Sequence, residues 1–93
     1  MDHIYRNRMA LAASGKSYFT TTSKLQVRNM VLNTIAHPDV VEPHRWCVDK
    51  LLYKKRFHYY TIGRHGTTAL ATNHICVVVR KSNNHIITAY PIL

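Results

Sequence analysis

Long apolar runs and cysteines are both scarce in this chain of 93 residues. Uninterrupted apolar stretches such as residues 75–79 fall far short of the roughly 18 residues that a membrane-spanning helix needs. The two cysteines, Cys47 and Cys76, form no CxxC pair, which argues against a zinc ribbon and a dense disulfide framework and leaves one bridge open. Because the start of the chain mixes Arg6 and Arg8 with only a short apolar patch at residues 9–13, we expect no signal peptide in this chain.

Acidic residues are also few, with four of them against 13 lysines and arginines. The formal charge of +9 and the pI near 10 predict a positive potential over much of the surface. Nucleic acid is the commonest partner of such a surface, because each phosphate neutralised by Lys or Arg releases condensed counterions. Binding to an anionic membrane would instead need a basic amphipathic helix or a long apolar segment. We therefore expect a nucleic-acid partner and no membrane association.

The length and composition indicate one folded domain that spans residues 1–93. A chain of this size has room for a single core, and an apolar fraction of 46% is typical of a globular protein. Ser23 and Gln26 have the spacing of a capping box, and Pro38 ends the helix that they begin near Ala36. The apolar stripe of this helix is predicted to comprise Leu25, Val27, Met30, Val31 and Ile35. Residues 4–13 fit a shorter first helix.

The second half of the chain is rich in aromatic and β-branched residues, which favour strands. Strands are predicted over residues 57–62, 75–80 and 85–90, and residues 46–53 fit a strand better than a short helix. Residues 81–84 suit the turn of a β-hairpin. The expected fold is α+β, with an N-terminal helix or helices packed on a C-terminal antiparallel sheet of three to four strands. Trp46, the sole tryptophan, is predicted to be a core anchor.

Alternation along these strands predicts two chemically different faces. Residues expected under the helix are Ile75, Val77, Val79, Ile87 and Ala89. Residues expected on the open surface are His58, Tyr60, Cys76, Val78, Arg80, Ile86, Thr88 and Tyr90, with Lys54, Lys55 and Arg56 at one edge and Arg64 and His65 nearby. Such a surface suits RNA, because cations hold phosphates, tyrosine rings stack on unpaired bases and hydroxyls reach the 2′-hydroxyl. Imidazole could also exchange protons with the RNA at neutral pH.

The order of four short segments resembles a known group of proteins. They are Ile-Ala-His-Pro-Asp-Val-Val from residue 35, Lys-Lys-Arg-Phe from residue 54, Ile-Cys-Val-Val-Val-Arg from residue 75 and Ile-Ile-Thr-Ala-Tyr-Pro from residue 86. Over residues 24–91 the chain resembles small RNase toxins of the barnase, EndoU, colicin and RelE-like superfamily, including polymorphic, contact-dependent and phage toxins. The resemblance implies a metal-independent endoribonuclease that acts in the cytoplasm, often on tRNA, and that a cognate immunity protein or antitoxin neutralises.

The charge, the composition of the open surface and the terminal strand, together with the resemblance, suggest roles for individual residues. His65 or His58 would serve as acid or base in a 2′-hydroxyl attack that leaves a cyclic phosphate. Lys55 and Arg64 would stabilise charge on the phosphate, which Thr88 and Tyr90 would orient. The expected catalytic residues are thus His65, His58, Lys55, Thr88 and Tyr90, and the expected substrate-binding residues are Arg56, Arg64, Arg80, Lys54 and Tyr60. The sole glutamate, Glu42, is given no role.

Two other functions fit the same sequence. The basic, aromatic surface would equally serve a non-catalytic RNA-binding module, or an interaction protein whose positive face meets an acidic partner. A metal site is not expected, because the pairs His37/His44, His58/His65 and His74/His85 match neither the helical i, i+4 pair nor a zinc-finger spacing. We expect no cofactor.

Overall fold

The computed structural model describes residues 4, 18–19, 23–57, 61–64 and 71–93 of the chain. Within these ranges, helix α1 (Lys24–Ala36) packs against an antiparallel sheet of four strands. That sheet has the order β2-β3-β6-β7 and is formed by β2 (Val40–Pro43), β3 (Lys50–Arg56), β6 (His74–Arg80) and β7 (Ile86–Ile92). A smaller sheet of order β1-β4-β5 is formed by β1 (Tyr18–Phe19), β4 (Gly63–Arg64) and β5 (Ala71–Thr72). The expected α+β fold is confirmed.

Helix α1 begins where the sequence predicts. The hydroxyl of Ser23 accepts a hydrogen bond from the backbone N–H of Gln26 at 3.3 Å, which satisfies one of the unpaired donors of the first turn. Leu25 was expected in the apolar stripe and is 66% exposed instead. At 100° per residue it lies about 200° around the helix from the buried Val27, and therefore points to solvent. The buried stripe includes Thr34, whose hydroxyl donates to the Met30 carbonyl at 2.7 Å.

The C-terminal hairpin also confirms its prediction. Strands β6 and β7 pair antiparallel, and residues 81–83 form the turn between them. Asn84 follows with a positive φ of 57°, a left-handed conformation that asparagine tolerates better than most residues. No helix within the described ranges is long and apolar enough to cross a bilayer.

Two predicted strands need correction. The strand expected over residues 46–53 is β3, which begins only at Lys50, and Trp46 lies before it in a loop with its side chain 83% exposed. Trp46 is therefore not a core anchor. The strand expected over residues 57–62 is not formed at Phe57, Thr61 or Ile62, and residues 58–60 lie outside the described ranges. Strand β2 was not predicted, because its four residues are punctuated by Glu42 and Pro43.

The core lies between α1 and one face of the four-stranded sheet. Ile75, Val77, Val79 and Ala89 are buried there, with Val27 and Val31 of the helix, as alternation along the strands predicts. The small sheet contributes Phe19 of β1 to the core, and Ile62 and Ile4 belong to the same cluster. Of the expected first helix only Ile4 is described; it is helical and fully buried.

A β-bulge places Ile86 on the core face. Val78 pairs with Thr88 but Val79 pairs with Ile86, so Ile87 is an extra residue on β7. Ile86 consequently packs against the core, and its predicted assignment to the opposite surface is wrong.

Candidate functional site

The sheet face that points away from the helix carries most of the polar chemistry of β3, β6 and β7. Residues directly opposite in an antiparallel pair point to the same side. The ladder therefore places four rows on this surface, which we call the open face. The rows are Arg56, His74 and Ile92; Lys54, Cys76 and Tyr90; Leu52, Val78 and Thr88; and Lys50 and Arg80.

The first row holds a hydrogen-bonded cluster around His74. The Arg56 guanidinium donates to the Asn73 side-chain oxygen at 3.1 Å, and its second terminal nitrogen lies 3.1 Å from Nδ1 of His74. The backbone N–H of Arg56 donates to the Asp39 carboxylate at 2.9 Å. Arg56 is thus fixed on both sides, and its charge is held beside the imidazole.

The protonation of His74 is set by this cluster. Partial burial lowers the pKa of the imidazole below its ordinary value of 6.5; the hydrogen bond to the Leu93 carbonyl opposes that shift, and the charges of Arg56 and Lys54 add to it. His74 is therefore neutral at pH 7. Nδ1 lies 3.1 Å from Arg56 and 3.2 Å from the Leu93 carbonyl oxygen. The tautomer that donates to Leu93 leaves Nε2 as a base, and the tautomer that accepts from Arg56 puts the proton on Nε2.

The second row combines a cation, a thiol and a phenol. Lys54 forms an ion pair with Glu42 of β2, so part of its charge is already neutralised. Cys76 is 1% exposed, and burial raises the pKa of its thiol, although a hydrogen bond with the Tyr90 side chain partly opposes this. The buried, protonated thiol is a poor nucleophile. Cys47 and Cys76 are both free cysteines.

The remaining rows are less reactive. The Thr88 hydroxyl oxygen is buried and has no hydrogen-bond partner among the described residues. Arg80 is exposed at the far end of β6, with its Nε 4.0 Å from the Asp49 carboxylate. Arg80 lies six positions after His74, which at about 3.3 Å per residue is about 20 Å along the strand.

The structure brings together some of the predicted site residues and separates others. The open face includes Lys54, Arg56, Arg80, Thr88 and Tyr90. Lys55 belongs to the opposite face, where its Nζ donates to the His37 carbonyl at the C-terminal end of α1, at 2.8 Å. Arg64 is exposed on β4 of the small sheet.

The other predicted site residues lie beyond what the structure describes, and one residue was missed. His58, Tyr60 and His65 fall in the ranges that are not described. His74 was not placed on the open surface, because the predicted strand began at Ile75. Extending the alternation of Cys76 and Val78 by one step backwards would have placed it there.

A cavity of about 380 Å³ lies on the helix side of the molecule. Its lining residues are Gln26, Asn29, Met30, Asn33 and Phe57. None of these described lining side chains titrates near neutral pH. In the described part of the chain, no three His, Cys, Asp or Glu side chains are grouped so that they could hold a metal ion. Among the described histidines, His74 on the open face lies within hydrogen-bond distance of a guanidinium group.

Comparison of the chain with protein-family models, with curated proteins and with solved structures finds no match. The function must be inferred from the chemistry of the open face.

Proposed function

We propose that the protein is a metal-independent endoribonuclease that holds an RNA strand on its open face. The observation that carries the proposal is the row that places a neutral imidazole, His74, beside the fixed guanidinium of Arg56. Within the described residues Nε2 of His74 has no hydrogen-bond partner, and it lies on the face that the helix leaves uncovered. A general base needs this neutral state and an accessible nitrogen.

The reaction requires a proton transfer and charge stabilisation. In the tautomer whose Nδ1–H donates to the Leu93 carbonyl, Nε2 of His74 removes the proton of the 2′-hydroxyl, whose oxygen attacks the adjacent phosphorus. The bond to the 5′ oxygen breaks, that oxygen takes up the proton, and a 2′,3′-cyclic phosphate remains. Arg56 stabilises the added negative charge on the phosphate oxygens. Lys54 contributes less because of its ion pair with Glu42, and Tyr90 orients the phosphate from the neighbouring row.

A toxin-like role is part of the same proposal. The net charge of +9 suits a large folded RNA such as tRNA as the substrate, and equally suits an acidic immunity protein or antitoxin as the inhibitor. Such an enzyme would act in the cytoplasm, where its RNA substrate is found.

Cleavage of tRNA and of a short RNA in excess EDTA tests the proposal. We expect cleavage by the wild-type chain, none of a substrate with a single 2′-deoxy sugar at the cut site, and a product that ends in a cyclic phosphate. His74→Ala should reduce the rate by about 10²- to 10⁴-fold, the range for loss of a general base. Arg56→Ala should reduce it by about 10²-fold.

The matched control for Arg56→Ala is Arg28→Ala, which removes the same charge from an exposed position on α1, away from the open face. It should leave the rate within about twofold. His58→Ala and His65→Ala, made in parallel, test the histidines that sequence alone favours. An unchanged rate in His74→Ala would refute the assignment of the base.

A non-catalytic RNA-binding module is the second candidate. Two residues that were predicted to be catalytic are not available to a substrate on the open face, because Lys55 faces the helix and the Thr88 hydroxyl is buried. These positions favour RNA binding without cleavage. Intact RNA at high protein excess, together with affinity that falls steeply with salt concentration, would select this function over the nuclease.

A further inference from the structure

The loop of residues 44–49, between β2 and β3, presents the sole tryptophan to solvent. The side chain of Trp46 is 83% exposed, and that of Val48 is 92% exposed. Tryptophan is usually largely buried, because its ring is the largest apolar surface of any side chain. We call residues 44–49 the Trp46 loop.

The exposure does not result from a loosely held loop. Nδ1 of His44 accepts hydrogen bonds from the backbone N–H groups of Trp46 and Cys47, both at 3.1 Å. The carbonyl of Asp49 accepts from the backbone of Lys81 at 2.7 Å, and its carboxylate accepts from the backbone and hydroxyl of Ser82 at 3.2 and 3.1 Å. These bonds fix both ends of the loop in advance of any ligand.

The surroundings of the indole are cationic. The guanidinium carbon of Arg45 lies 5.2 Å from the Trp46 ring centroid, within the range of a cation–π contact. The His44 ring meets the indole edge to face at 6.3 Å. Lys50 and Arg80, the last row of the open face, lie at the same end of the sheet. An exposed indole flanked by basic side chains is the combination that binds single-stranded nucleic acid, because the ring stacks on a base while the cations hold phosphates.

We infer that Trp46 is a stacking platform for an unpaired base of the RNA whose backbone occupies the open face. This inference rests on the proposed function and extends the RNA site to the end of the sheet opposite His74. His74 and Arg80 are about 20 Å apart along β6, which corresponds to roughly six stacked nucleotides at 3.4 Å each. The Trp46 loop would therefore select substrates with an unpaired segment of that length, such as a loop, over short fragments.

The test uses the full chain and 2′-O-methyl oligonucleotides, which the proposed reaction cannot cleave. Binding is measured in two ways: by anisotropy of a label on the RNA, and by quenching of tryptophan fluorescence, which reports on Trp46 alone. We expect a 12-nucleotide RNA to quench the fluorescence strongly and a three-nucleotide RNA held at the His74 end to quench it little. Trp46→Ala should weaken binding of the 12-mer by about 5- to 100-fold and of the three-nucleotide RNA by less than twofold.

Trp46→Phe keeps an aromatic ring and should recover most of the affinity, which a purely structural role of the loop would not predict. Unchanged melting temperatures of the variants would show that they fold. If the labelled 12-mer binds but neither quenches the fluorescence nor loses affinity in Trp46→Ala, the inference is overturned and the RNA site on the open face stands. Equal quenching by polyglutamate would assign the loop to acidic protein partners and also overturn it. If no RNA binds, both proposals fail.

Discussion

The two faces of strand β6 differ in their chemistry. On the covered face Ile75, Val77 and Val79 are all apolar and at most 3% exposed. On the open face the same strand carries His74 at one end, Arg80 at the other and the buried Cys76 and Val78 between them. Because successive side chains point to opposite sides, one strand of seven residues supports the core and the proposed site independently.

The largest expected effect tests this independence directly. Ile75→Ala removes a fully buried side chain and should lower the free energy of unfolding by about 2–5 kcal/mol. The substitution His74→Ala at the preceding position should lower the free energy of unfolding by no more than about 1 kcal/mol, since only hydrogen bonds of a half-buried ring are lost. Urea unfolding measures both. The rate of RNA cleavage per folded molecule should show the reverse order, with the larger loss in His74→Ala. If either variant lost both stability and cleavage rate, the two faces would not be independent.

A smaller effect of opposite sign is expected at Thr88. Its hydroxyl oxygen is buried without a hydrogen-bond partner among the described residues, so Thr88→Val removes a desolvated polar group and keeps the shape. The free energy of unfolding should rise by about 1 kcal/mol. The rate of RNA cleavage should stay the same, because an inaccessible hydroxyl does not reach a phosphate. A large loss of rate would instead support the role that the family resemblance implies for Thr88.

The smallest effect is on the pH dependence of stability. The pKa of His74 is lower in the folded chain than its ordinary value of 6.5, so between these two values the unfolded chain binds more protons. The contribution of His74 to stability is therefore constant above about pH 6.5 and falls as the pH is lowered towards the folded pKa. Urea midpoints measured from pH 7.5 to 5.0 should decline less steeply in His74→Gln than in the wild type. Identical slopes would show that the pKa of His74 is not shifted.

The parts of the fold that could be predicted are those with local signals. Ser23 and Gln26 mark the start of α1 because their capping contact lies within one turn. The alternation of residues 75–80 separates the faces of β6 because the period of a strand is fixed by its backbone geometry. Arg80, Thr88 and Tyr90 were placed on the correct face for the same reason.

The parts that could not be predicted depend on contacts between distant segments. The bulge at Ile87 arises from pairing with β6, and no residue type at that position signals it. Lys55 faces the helix because the register of β3 with β6 places it opposite Ile75 of the core. Trp46 was expected in the core on the basis of its ring alone, but it lies in the loop between β2 and β3 and is 83% exposed.

The hydrogen bonds of Asp49 to residues 81 and 82 have a consequence for the order of assembly. Strands β2 and β3 form one hairpin and β6 and β7 another, and each joins neighbours in the chain. Within the four-stranded sheet, the β3–β6 ladder must close the long segment between Arg56 and His74, which is an entropically costly event. Asp49 links the turns of the two hairpins by hydrogen bonds at the end of the sheet remote from that segment. We therefore expect Asp49→Ala to slow refolding more than it speeds unfolding.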